Sequence, residues 1–384
     1  MGVTGLVSFT GSQKNPWRTY PPHRTIGVYT EHGLTPNLLE AFFTLAESVG
    51  CRFVYDPFVG SGVVAVYSQD RCMSFAGADS NPWSLVLVKA KTTRLDWTAL
   101  KSWAKRGAAE VRMIEPLIPT PRLSRYHDQA TLEALGRLRA LVAETPAEWR
   151  PLLLSILARV AEKWSRLKRT PAPRFKRTTR RQGDVYSEYF NLLLQAIGEL
   201  EARSYCAPVD VYMADSSLWM PSRICGVVTS PPFANNIDYV RHTMLELLWS
   251  GIARDSKDLG WVRSLQAPAC EAASRSWKPR STYPWLIELT SRIKGSRARG
   301  FRSFLLQYFH AMEKHFTLLA EALEWEAWYT IGDSILGRAY IPTHQVLAKL
   351  ADLYGLKVSL KPLNPRYKPG RTLYLLKLRP GNKN

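Results

Sequence analysis

Apolar residues along this chain fall into two spacings, and the switch between them predicts the architecture. Short apolar runs at Phe53 to Asp56, Phe75 to Asp79, Val209 to Asp215, Ile224 to Val228 and Trp325 to Ile331 predict strands, the one at Ile224 to Val228 buried. Between and around them lie helical stretches. Thr35-Pro36 opens one that runs to Ala46 with Leu38, Leu39, Phe42, Phe43 and Leu45 apolar, so Thr35 reads as N-cap and Pro36 as the first helical residue. Further helices are predicted for Val63 to Gln69, Pro82 to Lys91, Leu132 to Ala143, Pro151 to Leu167, Thr243 to Trp249, Phe304 to Leu323 and Pro342 to Tyr354. Strand, helix, strand, helix up to Lys91 argues for a parallel sheet with right-handed crossovers. The alternation stops from Leu95 to about Ser204, where helical periodicity takes over, and resumes at Val209. Leu356 to Lys361 and Thr372 to Leu378, joined by Asn364 to Gly370, predict a terminal hairpin. No internal repeat is found, which argues against a solenoid.

The ends of the strands carry the candidate chemistry. After Phe53 to Asp56 comes Pro57-Phe58-Val59-Gly60-Ser61-Gly62 and then a helix. Gly60 and Gly62 let the backbone turn tightly and approach a ligand with no Cβ in the way. The spacing is not GxGxxG and no phosphate loop is present, so Asp56 at the strand end would face a cationic or amine-bearing ligand rather than a pyrophosphate. Phe75 to Asp79 repeats the logic about twenty residues on, where an acid grips a ribose hydroxyl pair. The run ending at Val228 is halted by Thr229-Ser230-Pro231-Pro232-Phe233. Two prolines cannot continue pairing, so the backbone leaves the sheet in a stiff turn that displays a hydroxyl, carbonyls and an aromatic face. Such a set suits a flat ring bearing an amino group, although an ordinary Pro-Pro loop has the same letters.

Charge adds a partner class. Of 384 residues, 46% are hydrophobic and 22% charged, but Lys plus Arg outnumber Asp plus Glu 52 to 32, for a net charge of +20. That excess favours a polyanion over a membrane surface, because no amphipathic segment with basic flanks stands out. The sharpest cluster is Lys163, Arg166, Lys168, Arg169, Arg174, Lys176, Arg177, Arg180 and Arg181, with Trp164 and Phe175 among them and only Glu162 against them. It reads either as a solvated face or as a phosphate grip with an aromatic for stacking. Arg254 to Arg302 is a second basic stretch, interleaved with Trp261, Trp277 and Trp285. Cys51, Cys72, Cys206, Cys225 and Cys270 are scattered with no CxxC, so neither a metal site nor a disulfide framework is indicated and reduced thiols are expected. Residues 1 to 25 are polar and proline-rich, and no eighteen apolar residues run together, so the protein is expected in the cytoplasm.

Asp56 to Gly62 together with Thr229 to Phe233 resembles the S-adenosylmethionine-dependent amino-methyltransferases that modify the N4 amine of cytosine or the N6 amine of adenine in nucleic acid. The resemblance implies a Rossmann-like α/β class I methyltransferase fold, a seven-stranded mostly parallel sheet carrying helical and basic insertions. The first motif is then similar to the family's cofactor loop, with Asp56, Phe58, Gly60, Ser61, Gly62 and Asp79 around S-adenosyl-L-methionine. Asp215 resembles the acid that contacts the adenine amine, with a helix N-cap as the other reading, and His32 to Leu39, including Thr35, resembles the segment covering the methionine end. Ser230, Pro231, Pro232 and Phe233 resemble the catalytic loop, and Ser in its first position is similar to the N4-cytosine members. Asn235, Asn236 and Tyr239 could line the base pocket or serve as caps and core. Residues 1–94 and 205–384 would be the two parts of the methyltransferase domain, 95–204 a basic helical insertion in the target-recognition position, and about 254–302 a second basic insertion. DNA is the favoured substrate and RNA the alternative; an inactive nucleic-acid-binding relative is the third reading. An associated restriction enzyme is the further partner the resemblance allows, and the oligomeric state stays open.

Overall fold

The computed structural model describes residues 22–27, 34–168, 173–176, 183–363 and 372–381. Helix α1 (Pro36–Ser48) starts as its sequence predicts: the Thr35 hydroxyl accepts from Leu38 N at 3.3 Å, and Pro36 takes the first turn. Strands and helices then alternate through β1 (Phe53–Asp56), α2 (Val63–Asp70), β2 (Ser74–Asp79) and α3 (Pro82–Thr92). The insertion follows as α4 (Trp97–Glu110), α5 (Gln129–Ala143), α6 (Arg150–Lys163), a two-stranded ribbon of β3 (Leu167–Lys168) and β4 (Arg174–Phe175), and α7 (Val185–Glu201). Beyond it lie β5 (Val209–Met213), β6 (Ile224–Thr229), α8 (Tyr239–His242), α9 (Met244–Ser250), α10 (Ser256–Leu265), α11 (Pro284–Ser291) and α12 (Ala298–Ala322). The chain closes with β7 (Leu323–Gly332), a small hairpin of β8 (Ser334–Leu336) and β9 (Ala339–Ile341), α13 (Thr343–Leu353), β10 (Lys357–Pro362) and β11 (Leu373–Arg379).

Seven strands form one sheet in the order β10-β11-β7-β6-β1-β2-β5. The pairs β1–β2, β1–β6, β2–β5 and β6–β7 are parallel, and β11 runs antiparallel to both its neighbours. The mixed α/β architecture is compatible with a Rossmann-like fold. Successive residues on the central strands serve opposite faces: Val54, Val228 and Trp328 pack with Phe42 and Phe43 of α1, whereas Tyr55, Val227 and Tyr329 pack with Phe304, Phe316 and Leu347 of α12 and α13. Helices on both faces explain the unbroken apolar runs. A separate apolar core joins α3 to α4 through α7 and to α9 and α10, so the insertion is seated on the sheet's own third helix. Among the described residues no helix is long and apolar enough to cross a membrane.

Three expectations are corrected. The helix expected to run from Pro151 to Leu167 ends at Lys163, because Ser165 Oγ bonds to Glu162 O at 2.8 Å and accepts from Leu167 N at 3.1 Å, turning the chain into the ribbon. Strand β5 stops at Met213, which leaves Asp215 in a turn rather than at a strand end. The thiols are not all reduced: Cys51 is bonded to Cys225 and Cys72 to Cys206, while Cys270 is free and buried. Each cross-link joins the entry of one strand to its sheet neighbour or its neighbour's entry, β1 to β6 and β2 to β5.

The cross-links span 174 and 134 residues, so in the chain-entropy model each constrains the unfolded ensemble by about 5 kcal/mol. Reduction with a phosphine should lower the calorimetric unfolding midpoint by roughly 5 °C or more. Equal midpoints for the oxidised and reduced protein would show that the two bonds do not stabilise the fold.

Candidate active site at the carboxyl edge of the sheet

The chain builds the sheet outward from β1 in one direction through β2 to β5, then returns to place β6 on the other side of β1. Strand order therefore reverses between β1 and β6, and the loops leaving these two strands diverge to make a crevice there. Both sequence-predicted motifs sit at this point. Their first residues touch: Asp56 Oδ1 accepts from Thr229 Oγ1 at 2.5 Å and from Phe58 N at 3.0 Å. Asp56 is 2% exposed, and burial pushes its carboxyl up to about 7 against the two donors that hold it down. Its other oxygen has no partner among the described residues.

The loop after β1 is built as its glycines predict. Gly60 and Gly62 adopt φ of 51° and 81°, and a Cβ on Gly62 would lie 2.8 Å from Val88 Cγ2, so that position is closed to larger residues on two counts. Asp79 holds the loop in place. Its Oδ2 accepts from Gly60 N at 2.9 Å and its Oδ1 from Asn81 N at 2.7 Å, while burial raises its pKa. Asp79 thus braces the glycine turn; a ribose hydroxyl would have to use the remaining lone pairs of the same carboxylate.

Two groups that sequence reasoning passed over complete this support. Lys91, fully buried on α3, donates to Ser61 O and to Gly27 O, each at 2.7 Å, tying the glycine loop to the amino-terminal segment. Burial, then the nearby Arg159 and Arg203, hold its pKa well below the usual lysine range. His315, buried on α12, faces Ser216 O at 3.2 Å through Nδ1 and the Tyr329 hydroxyl at 2.6 Å through Nε2. A carbonyl can only accept, so Nδ1 carries the proton and Nε2 accepts from the phenol; burial lowers the pKa to about 4, which keeps the ring neutral. Phe58 packs on this imidazole with ring centroids 5.3 Å apart. Both residues fall in the apolar stripes of their helices, Leu87, Val88, Lys91 and Met312, His315, Phe316, Leu319, and a polar residue at a stripe position was the available signal.

Asp215 is not a helix N-cap, since a turn and no helix follows it, but its side chain does bind the backbone two residues on. Oδ1 accepts from Ser217 N at 2.9 Å and Ser217 Oγ at 2.8 Å, closing the turn that His315 holds through Ser216. Around this turn Tyr212, Met213, Leu218 and Trp219 are exposed, with the Tyr212 and Trp219 rings 4.9 Å apart. They form an apolar surface beside the end of β5 against which a flat ring can lie. Thr35 caps α1, and His32 and Gly33 before it lie outside the described residues.

After β6 the Pro-Pro turn leaves the sheet. Ser230 is half-buried, and its hydroxyl bonds to no described residue. Phe233 is buried rather than displayed: a Cβ on Gly332 would lie 2.8 Å from its ring, so the glycine at the end of β7 makes room for it. Its amide points to the Tyr239 hydroxyl at 3.4 Å, and burial pushes that phenol up to about 12. The second insertion braces the same loop, since Asn236 N donates to Ala269 O and Asn236 Oδ1 accepts from Glu271 N, both at 3.0 Å. Asn235 Oδ1 is sealed without a partner among the described residues.

The basic cluster divides. Lys163 pairs with Glu188, and Lys176 donates to Ser165 O at 3.0 Å, whereas Arg166, Lys168 and Arg174 are exposed. Arg169, Arg177, Arg180 and Arg181 lie outside the described residues. No family model matches the chain, and no curated protein matches it.

The raised pKa of Asp56 has a testable sign. With a folded value of about 7 against an ordinary 3.8, the folded protein holds this proton more tightly than the unfolded chain. Its contribution to stability is intact below about pH 4 and is lost as pH rises through 7. Asp56→Asn should therefore gain thermal midpoint relative to wild type by a margin that widens from pH 4 to pH 7. A constant margin across that range would mean that Asp56 titrates normally.

Proposed function

We propose that the protein is an S-adenosylmethionine-dependent methyltransferase that modifies the exocyclic N4 amine of cytosine in DNA. The observation that carries the reading is the junction of the two loops: the glycine turn after β1 and the Ser-Pro-Pro-Phe turn after β6 meet at the strand-order reversal, joined by the Thr229 to Asp56 hydrogen bond. The seven-stranded sheet with one antiparallel strand next to its edge accords with a class I methyltransferase. Such an enzyme works on nucleic acid in the cytoplasm.

The residues present fit the cofactor by chemistry. Its ammonium and sulfonium suit the buried carboxyl of Asp56, whose second oxygen lacks a described partner. Its ribose hydroxyls suit Asp79, and its adenine suits the apolar surface of Tyr212, Met213, Leu218 and Trp219 beside Asp215. When bound, S-adenosylmethionine supplies an electrophilic methyl group. The chain's own residues present the nucleophile. The cytosine amine is conjugated into its ring and is a poor nucleophile. Ser230 Oγ and the Pro231 carbonyl accept its two hydrogens, which favours a pyramidal nitrogen with an available lone pair. Pro231 and Pro232 fix φ, so these acceptors are held before the substrate arrives, and proximity supplies most of the acceleration. Ser230 is too weak a base to remove the amine proton, which leaves to water during or after transfer. In a duplex the target base must first leave its stack, at about a few kcal/mol. RNA remains a second reading, favoured by the exposed Phe175 ring, which suits strands whose bases are already unpaired.

Ser230→Ala should lower kcat about 100-fold in a labelled-methyl assay, with cofactor affinity by calorimetry unchanged. Asp79→Ala should instead weaken cofactor binding by about tenfold or more, because the glycine turn loses its brace. Full methylation by the serine variant would remove the Pro-Pro loop from the mechanism.

A further inference from the structure

The ribbon of β3 and β4 has a charge arrangement that works against its own stability. Lys168 and Arg174 stand directly opposite each other in the antiparallel register, and both are exposed. Like charges so placed, with Cβ atoms roughly 5 Å apart, repel. No described carboxylate forms an ion pair with Lys168, Arg174, Arg166 or Arg125. Asp128, which feels Arg166, is occupied in capping α5, accepting from Thr131 N at 2.8 Å. On the other face of the ribbon, Leu167 is buried while its cross-strand partner Phe175 is 58% exposed. The Phe175 ring lies nearly parallel to Tyr126, at 13° with centroids 6.2 Å apart. Tyr126 is itself fixed, since its carbonyl accepts from Arg166 N at 2.7 Å and its hydroxyl reaches Met244 Sδ at 3.6 Å.

These contacts also place the ribbon. Met244 follows Thr243, whose hydroxyl accepts from Asn81 Nδ2 at 3.0 Å, and Asn81 N is bound by Asp79. The ribbon is therefore linked, through Tyr126 and the start of α9, to the carboxyl edge of the sheet. The second basic insertion begins against the residues just before Tyr126: Thr120 Oγ1 donates to Arg254 O at 2.6 Å, and Arg122 bonds to Ser256.

We propose that the ribbon docks a nucleic-acid strand with an unpaired base, Lys168 and Arg174 closing on one stretch of phosphates and Phe175, backed by Tyr126, stacking on the base beside them. A polyanion relieves the repulsion between the opposed cations. Reading a duplex groove calls for side chains that hydrogen-bond to base edges, which Phe175 lacks, whereas an exposed ring backed by a second ring suits an unstacked base of any sequence. The proposal rests on nucleic acid being the partner, as in the function proposed above.

The test uses the full chain without cofactor. Affinity is measured by fluorescence anisotropy for a labelled single strand of DNA, the matched RNA strand and the DNA duplex across a salt titration. Lys168→Ala/Arg174→Ala should reduce the slope of log K against log salt by about 1.4 on single strands, while Lys168→Arg/Arg174→Lys leaves it unchanged. Phe175→Ala should weaken single-strand binding roughly 5- to 100-fold and leave the slope alone, with duplex affinity changed less than twofold. Ribbon-dependent binding of either sugar supports the proposal. An unchanged slope in the alanine pair, or an equal loss on duplex from Phe175→Ala, overturns it. Because no cofactor is present, ribbon-dependent binding by a protein that transfers no methyl group counts against the catalytic reading alone; methyl transfer by a protein whose ribbon variants bind like wild type counts against the ribbon alone.

Discussion

The hydrogen bond from Thr229 to Asp56 is the constraint on which the site depends. It joins the last residues of two adjacent parallel strands that are far apart in the chain, at the one place where strand order reverses. Everything beyond it is loop. The glycine turn leaves one partner and the Pro-Pro turn leaves the other, so the separation of the two loops is set by a contact inside the sheet rather than by the loops themselves. Burial makes that contact strong and also makes it expensive to ionise, which is why the Asp56 carboxyl is pushed up to about 7.

Around this junction the fold commits polar groups to holding backbone. Asp79 and Lys91 grip the glycine turn from two sides, by its amide and by a carbonyl. His315 and Asp215 hold the turn after β5, and Asn236 holds the loop after Phe233. A site held this way is positioned before any ligand arrives, which is what a reaction relying on proximity requires. At the opposite edge of the sheet, disulfides join β1 to β6 and β2 to β5, so the four strands that carry the site are tied in neighbouring pairs.

Much of this was legible in the sequence because it is local. Apolar run length separates strands from helices, Thr35-Pro36 marks a helix start, and Gly60 and Gly62 announce positive φ; each signal lies within a few residues of the feature it specifies. What escaped is long-range or ambiguous in one dimension. Cys51 and Cys225 become neighbours only once β6 is placed beside β1, and no spacing rule connects positions 174 apart. Lys91 and His315 sit in apolar stripes whose letters show an anomaly but not the carbonyl or phenol that answers it. The helix expected to run to Leu167 ended early because Ser165 competes for backbone, and the ribbon that follows has strands of two residues, too short for any periodicity. Phe233 was expected to be an open stacking face; Gly332, far along the chain at the end of β7, lets it bury instead.

The central claim is that the junction of the two loops holds a cytosine amine for methylation. Its most direct measurement is transfer of labelled methyl from S-adenosylmethionine to genomic DNA and, separately, to total RNA, each lacking the modification, with the product nucleosides identified by mass spectrometry. N4-methyl-deoxycytidine from the DNA pool is the expected product. Methylated ribocytidine would move the substrate to RNA, and label in neither pool, from a protein that binds the cofactor, would contradict the claim.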